Sequence, residues 1–181
     1  MVGMRTTSEL PASIVGEAAA GDAIALERIV ARYHDDMARV CMVVCGGDAD
    51  LAQESVQAAW PVVWRNLHSV REPERLRHWL VAVAANEARQ LLRRRHRQAV
   101  VEVEVAELGS DRLDPAGGIA LADLRTALGR LSPDERTLLA LRYVAELDSA
   151  EIGAALGLTA SGARSRLDRL LARLRQELGD D

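Results

Sequence analysis

DSAEIGAALGLTASGARSRLDRLLARLRQEL, Asp148 to Leu178, is the stretch from which the fold of this chain can be read. Ile152, Ala155 and Leu156 recur at helical spacing and stop at Gly157. Ala163, Leu167, Leu170, Leu171, Leu174 and Leu178 then hold one side of a longer helix. Two amphipathic helices joined by so short a turn predict a helix-turn-helix. Asp148, with Glu151 three residues on, has the pattern of a capping box; Gly157 supplies the turn, and Thr159 can cap the second helix. With Ala163 inward, a rotation of about 100° per residue points Ser161, Ser165 and Asp168 outward, with Arg164, Arg166 and Arg169 around them. Helices that enter a DNA major groove display such a surface near their N-terminal end. An ordinary solvated helix packed on its neighbour displays one too, so this stretch alone leaves both readings open.

Composition favours helices. Hydrophobic residues make up 49% of the 181, enough for packed cores, but there is no phenylalanine and aromatics total only 3%. Ala and Leu must fill the interior, which suits close-packed helices better than sheets. No apolar run approaches membrane-spanning length and the N-terminus lacks a basic region followed by an apolar core, so the expected location is the cytoplasm. A net charge of −4 argues against indiscriminate coating of nucleic acid, yet its distribution says more. Every basic residue is arginine; five fall between Arg89 and Arg97 and five more between Arg164 and Arg175, with an acid-rich segment from Glu102 to Asp123 between them. Two nucleic-acid contacts joined by a segment that is not a contact fit this pattern. Cys41 and Cys45 lack a second cysteine pair and are expected as buried or terminal thiols rather than zinc ligands.

In chain order, residues 1–21 read as a frayed tail with at most a short helix. Leu26, Ile29, Val30, Tyr33, Met37, Val40, Cys41 and Val44 then make a long amphipathic helix that Gly46 and Gly47 end, with Tyr33 in the core. A second helix from Asp48 carries Leu51, Val56, Ala59, Trp60, Val63, Trp64 and Leu67, and kinks or restarts at Pro61. Asp50, Gln53, Glu54 and Gln57 occupy a side that a core would not claim, either a solvated face or a docking surface. Pro73 suits the first turn of a third helix running to about Gln98, with Leu76, Leu80, Val83, Ala84 and Leu91 on its stripe. On that helix Trp79 and Asn86 are placed either to pack in the core or to receive an unstacked base. Its end is Arg93, Arg94, Arg95, His96 and Arg97, a charge density that phosphate would neutralise.

Residues 99–118 lose the pattern. Val100 to Val105 alternate like a short strand but have no partner, and the rest is turn and linker chemistry, so the chain divides here into helical domains at 22–98 and 119–178. In the second, Leu121, Leu124, Leu128 and Leu131 build one helix; Ser132, Pro133 and Glu135 open another; the helix-turn-helix completes a four-helix unit. The expectation is an all-α protein of two small domains joined by a flexible acidic linker.

These residues resemble the small, two-domain extracytoplasmic-function (ECF) type of bacterial sigma factor over about residues 22–178. DLAQE (Asp50 to Glu54) followed by Trp60 is similar to the family's DLVQE…W helix, and WLVAVAAN (Trp79 to Asn86) with its following arginines to WLYRIARN. LSPDERTLLALRYV resembles LPxxxRxxxxLRY, and EIGAALGLTASGARSRLDRL resembles EIAxxLGxSxGTVKSRLxRA. The resemblance implies that Asp50, Gln53, Glu54 and Gln57 dock on the clamp coiled coil of the RNA polymerase largest subunit. It implies that Trp79 and Asn86, with the His68 to Leu76 loop, lie near the separating minus-ten element, and that Arg89, Arg93, Arg94, Arg95 and Arg97 hold phosphates there. Ser161, Arg164, Ser165, Arg166 and Arg169 would face the minus-thirty-five element, and an anti-sigma protein is the expected regulator. No cofactor, metal or catalytic residue is implied, because the polymerase performs the chemistry. Departures are Val56 and Leu76 for Phe, Val81 for Tyr, Gln90 for Asp, Gly153 for Ala, and Gly162 and Ala163 for Thr and Val; Gly153 for Ala loses about 1 kcal/mol of helix propensity.

Two other readings compete. A stand-alone helix-turn-helix regulator would need a self-complementary surface to place two recognition helices on half-sites. A helical adaptor that binds only protein would be indifferent to loss of the arginines. An enzyme fits least: His34, His68, His78 and His96 are scattered, and neither a metalloprotease motif nor a phosphate-binding glycine loop is present.

Overall fold

Every regular element of the computed structural model, which describes residues 10–103, 126 and 128–179, is helical. The first domain contains α1 (Ala12–Ala19), α2 (Ala23–Val44), α3 (Ala49–Asn66) and α4 (Leu76–Val103). Asp22 and Asp48 cap α2 and α3: their carboxylates accept the backbone N–H of Ala25 and Leu51, each at 2.9 Å. The core joins Ile29, Met37, Val40 and Val44 of α2, Val56 and Val63 of α3, and Leu76 and Leu80 of α4. Ala59, Ala84, Ala85 and Ala88 are fully buried among them. Small residues at these positions let the helix axes approach closely, so the chain fills its interior without phenylalanine.

Four expectations are decided here. The short helix allowed for in the tail forms as α1, but it is not frayed: Ile14, Val15 and Ala18 are buried, and α1 packs on α2. Eight residues are too few for a periodic signal. Second, α3 continues through Pro61 as one helix, so no new helix begins there. The proline lies on the exposed side, and Arg65 Nε donates to the Pro61 carbonyl at 3.2 Å. Third, Pro73–Arg75 forms a separate 3-10 turn before α4 begins. Fourth, α4 runs to Val103, so residues 100–103 extend a helix rather than open a strand. Each added residue gains a hydrogen bond in an existing helix, whereas a lone strand gains none. The remainder of the expected linker, Leu121 and Leu124 lie outside the described residues.

The second domain is held by its caps. Leu128 and Leu131 are buried, and α5 (Pro133–Leu139) opens with the expected capping box: Ser132 Oγ accepts from Glu135 N at 3.3 Å while Ser132 N donates to Glu135 Oε2 at 2.8 Å. A π-helical turn, Ala140–Val144, leads to α6 (Ser149–Leu156) and α7 (Ala160–Gly179). The Asp148–Glu151 box also forms, and the N–H of Glu151 helps hold the Asp148 carboxyl below the usual aspartate range. Gly157 ends α6 in the left-handed region, at φ 69°.

Gly153 has a use that helix propensity does not reveal. A β-carbon there would lie 2.7 Å from the Leu158 carbonyl oxygen, and the Leu158 N–H donates back to the Gly153 carbonyl at 2.8 Å. The turn folds directly against the residue. Gly153→Ala is therefore expected to lower stability by about 1–3 kcal/mol despite its propensity gain, because backbone must move. Urea denaturation checks this; a higher midpoint for the alanine variant would contradict it.

The two domains pack together. Arg77 Nη1 donates to the Ala145 carbonyl at 2.8 Å, and the buried Arg136 guanidinium lies over Gly46, where any side chain would collide with it.

Candidate nucleic-acid interface

The surface of α7 is as its spacing predicts. Ala163, Leu167 and Leu170 are buried, whereas Ser161, Arg164, Ser165, Arg166, Asp168 and Arg169 are all exposed. Thr159 Oγ1 accepts the N–H of Gly162 at 3.0 Å, which fixes the helix start. Arg169 Nε is turned onto the Ser165 carbonyl at 3.1 Å, and Arg173 reaches Glu135 at 2.8 Å, bracing α7 on α5. Arg164 and Arg166 make no ion pair among the described residues. They are cations of this face whose guanidinium groups are wholly available to bases or phosphates, while Arg169 keeps its charge and its Nη hydrogens for the same use.

The residues expected near the minus-ten element are divided between two environments. Arg93, Arg94, Arg95 and Arg97, with His96, form an exposed basic stretch of α4 that ends six residues before Val103. Trp79, Asn86 and Arg89 instead face the second domain. Asn86 Nδ2 donates to the Ala155 carbonyl at 3.0 Å. Arg89 Nε and Nη2 donate to Asp134 Oδ1 at 2.9 and 2.6 Å, and its side chain is only 17% exposed. His78 Nδ1 lies 2.6 Å from Glu151 Oε1. Trp79 is half-buried in a cleft of about 550 Å³ between the Ser69 to Arg75 loop and α6. Of the departures above, Val56, Leu76 and Val81 are each 1% exposed and so fill the core.

The polar face of α3 is open. Asp50, Gln53, Glu54 and Gln57 are all exposed, and Glu54 Oε2 accepts from Arg95 Nη2 at 2.6 Å, which sets the basic stretch of α4 beside this face. Trp64, grouped above with the apolar stripe, is 47% exposed. Trp60 is held: its Nε1 donates to His34 Nδ1 at 3.3 Å, with the two rings near-parallel at 4° and their centroids 6.4 Å apart.

Several interacting residues escape sequence reasoning. Asp36 is buried between Arg39, its neighbour on α2, and Arg77 Nε at 2.8 Å on α4. Its place on the Tyr33, Met37, Val40 side of α2 was the available signal. Asp134 and Glu151, read only as capping acids or not at all, are the partners of Arg89 and His78. The cysteines are both buried, and burial pushes the Cys41 thiol up to about 12, so it stays protonated at neutral pH. No group of three or more metal-ligating side chains occurs among the described residues, and no described helix is long and apolar enough to cross a membrane.

Comparison with known proteins supplies independent observations. Residues 29–98 match the family model Sigma-70 region 2, and residues 121–174 match Sigma-70, region 4. The RNA polymerase sigma factor CarQ of Myxococcus xanthus is 35% identical over 135 residues, 72% of this chain and 76% of that protein. The RNA polymerase sigma factor CnrH of Cupriavidus metallidurans is 27% identical over 184 residues, 93% of this chain and 94% of that one. The solved structure of the sigma factor RpoE with the anti-sigma factor NepR from Bartonella quintana shares this fold, with a TM-score of 0.69 at 23% identity over 86% of this chain and 98% of that one.

Proposed function

The chain belongs to the RNA polymerase sigma factors, in their two-domain, ECF form, and from that premise we propose how its surfaces divide the work of directing the polymerase to promoters. The α3 face of Asp50, Gln53, Glu54 and Gln57 docks on the clamp coiled coil of the polymerase largest subunit. The basic stretch of α4 holds phosphates beside the minus-ten element, and α7 reads the minus-thirty-five element through Arg164 and Arg166. The observation that carries this reading is α7, whose N-terminal half offers three arginines without ion pairs, Arg164, Arg166 and Arg169, on a helix fixed by Thr159.

Asn86, Arg89 and Trp79 reach promoter DNA in this scheme only after the second domain moves off α4. That makes the free chain a weak DNA binder, in keeping with its net charge of −4. Asp134 is 65% exposed, so its bridge to Arg89 restrains the seam by no more than about 1 kcal/mol. Asp134→Asn is accordingly expected to raise the affinity of the isolated chain for a single-stranded minus-ten oligonucleotide only about two- to fivefold. Fluorescence anisotropy reads this, and unchanged affinity would contradict it.

An anti-sigma protein held against one or both domains is the proposed regulator; the RpoE structure of similar fold is a complex with an anti-sigma factor, NepR. Adding the chain to purified bacterial core polymerase on a promoter template tests the whole reading. Start-site selection that depends on the chain is the expected result. Tight duplex recognition by a homodimer without polymerase would replace it with the stand-alone regulator.

A further inference from the structure

Trp64 lies on α3, one turn beyond Trp60, and is almost half exposed. An indole placed in water needs an explanation that Trp60, secured on His34, does not. Among the described residues Trp64 has neither a ring partner nor a hydrogen-bond partner. Helical geometry places it: at about 100° per residue, Trp64 falls within roughly 20° of Gln57, 20° of Gln53 and 40° of Asp50 around the α3 axis. Pro61, also exposed, lies on the same side and has no N–H to offer the Gln57 carbonyl.

We propose that Trp64 is the apolar anchor of the polymerase-docking face of α3. The inference rests on the docking reading above and extends it by a residue that the family motifs quoted above do not contain. Asp50 and Trp64 are 14 residues apart, so the face is about 21 Å long, the length over which one helix can lie along another. One end is acidic and the other aromatic. The matching partner surface is the clamp coiled coil, presenting a basic group toward Asp50 and an apolar side chain toward Trp64, with a donor between them for the Gln57 carbonyl. Interfaces concentrate their affinity in large anchors of this type, surrounded by polar contacts that set register.

The test measures the affinity of the full chain for purified core polymerase in four forms: wild type, Trp64→Ala, Trp64→Phe, and Asp50→Ala/Glu54→Ala. Trp64→Ala is expected to weaken binding on the order of 30-fold, and Trp64→Phe to keep most of the affinity. Melting temperatures within about 2 °C of wild type separate lost docking from lost folding, as expected for a half-exposed side chain. Wild-type affinity of Trp64→Ala, alongside weak binding by the Asp50/Glu54 pair, would overturn the anchor and leave the docking face intact. Wild-type affinity of both variants would overturn the docking reading itself. A concentration-dependent dimer in sedimentation that Trp64→Ala abolishes, with core affinity unchanged, would assign the tryptophan to self-association and also overturn the proposal.

Discussion

Arg164→Ala combined with Arg166→Ala is expected to reduce promoter-dependent initiation on the order of 100-fold while leaving core polymerase affinity unchanged. Each arginine stands to lose about 1–3 kcal/mol of base or phosphate interaction, and neither has an ion pair to compensate. Both are exposed, and α7 is held to its domain by Ala163, Leu167 and Leu170 on the opposite side, so folding should not change. Salt separates the roles. An arginine on phosphate contributes about one counterion to the salt dependence and weakens all sequences alike, whereas one on a base edge relaxes preference at a single position. Run-off transcription from promoters varied one base at a time, at two salt concentrations, distinguishes them. Undiminished initiation by the double variant would remove α7 from promoter reading.

The largest expected loss of stability comes from Asp36→Asn. Burial alone would raise the Asp36 pKa, but the hydrogen bonds and charges of Arg77 and Arg39 outweigh it and hold the carboxyl below its ordinary value of 3.8. Neutralising it strands Arg77, which also spans the seam to the Ala145 carbonyl. Loss of one partner of a buried pair costs about 3–5 kcal/mol; because the Arg77 side chain keeps 25% exposure, about 3 kcal/mol is expected, or roughly 10 °C in melting temperature. The pH dependence follows from the direction of the shift. A carboxylate whose folded pKa lies below its unfolded value contributes fully above the unfolded value, and that contribution is lost as pH falls through the folded one. The wild type should lose this increment below about pH 4, and the asparagine variant should lack it throughout. Equal acid unfolding profiles for the two proteins would show that the pair does not stabilise the fold.

What was legible in the sequence was local. The boxes at Ser132 and Asp148, the cap at Thr159 and the glycine stop after α2 all depend on residues within one helical turn of each other, and side chains three or four positions apart meet whatever the tertiary fold. The outward face of α7 follows from the same periodicity. What was not legible depends on residues far apart in sequence. Asp36 meets Arg77 across 41 positions and Asn86 meets Ala155 across 69, and nothing in a periodic pattern names such partners. Trp64 escapes the apolar pattern because hydrophobicity is not burial, and its angular position puts it with Gln57. Gly153 shows in the sequence only as a loss of propensity, because the carbonyl that excludes a side chain there arrives from the next turn. The short α1 lacks enough residues to declare a period, and its burial is a property of the α2 surface that receives it.

These long-range contacts matter for function because they occupy the α4 residues proposed for the minus-ten element. In the proposed scheme the exposed surfaces, α3 and α7, meet polymerase and duplex first, and the seam opens afterwards to release Asn86 and Arg89. In this order of events polymerase binding precedes strand separation.

The central claim is that one chain carries separable polymerase-docking and promoter-reading surfaces. Its most direct test is to measure core polymerase affinity and promoter-dependent initiation in parallel for Asp50→Ala/Glu54→Ala and for Arg164→Ala/Arg166→Ala. The account predicts that the first pair loses both activities, with initiation restored when core polymerase is raised to saturation, and that the second loses initiation alone at every polymerase concentration. Wild-type core affinity and initiation in the Asp50/Glu54 variant, or loss of core affinity in the Arg164/Arg166 variant equal to its loss of initiation, would contradict it.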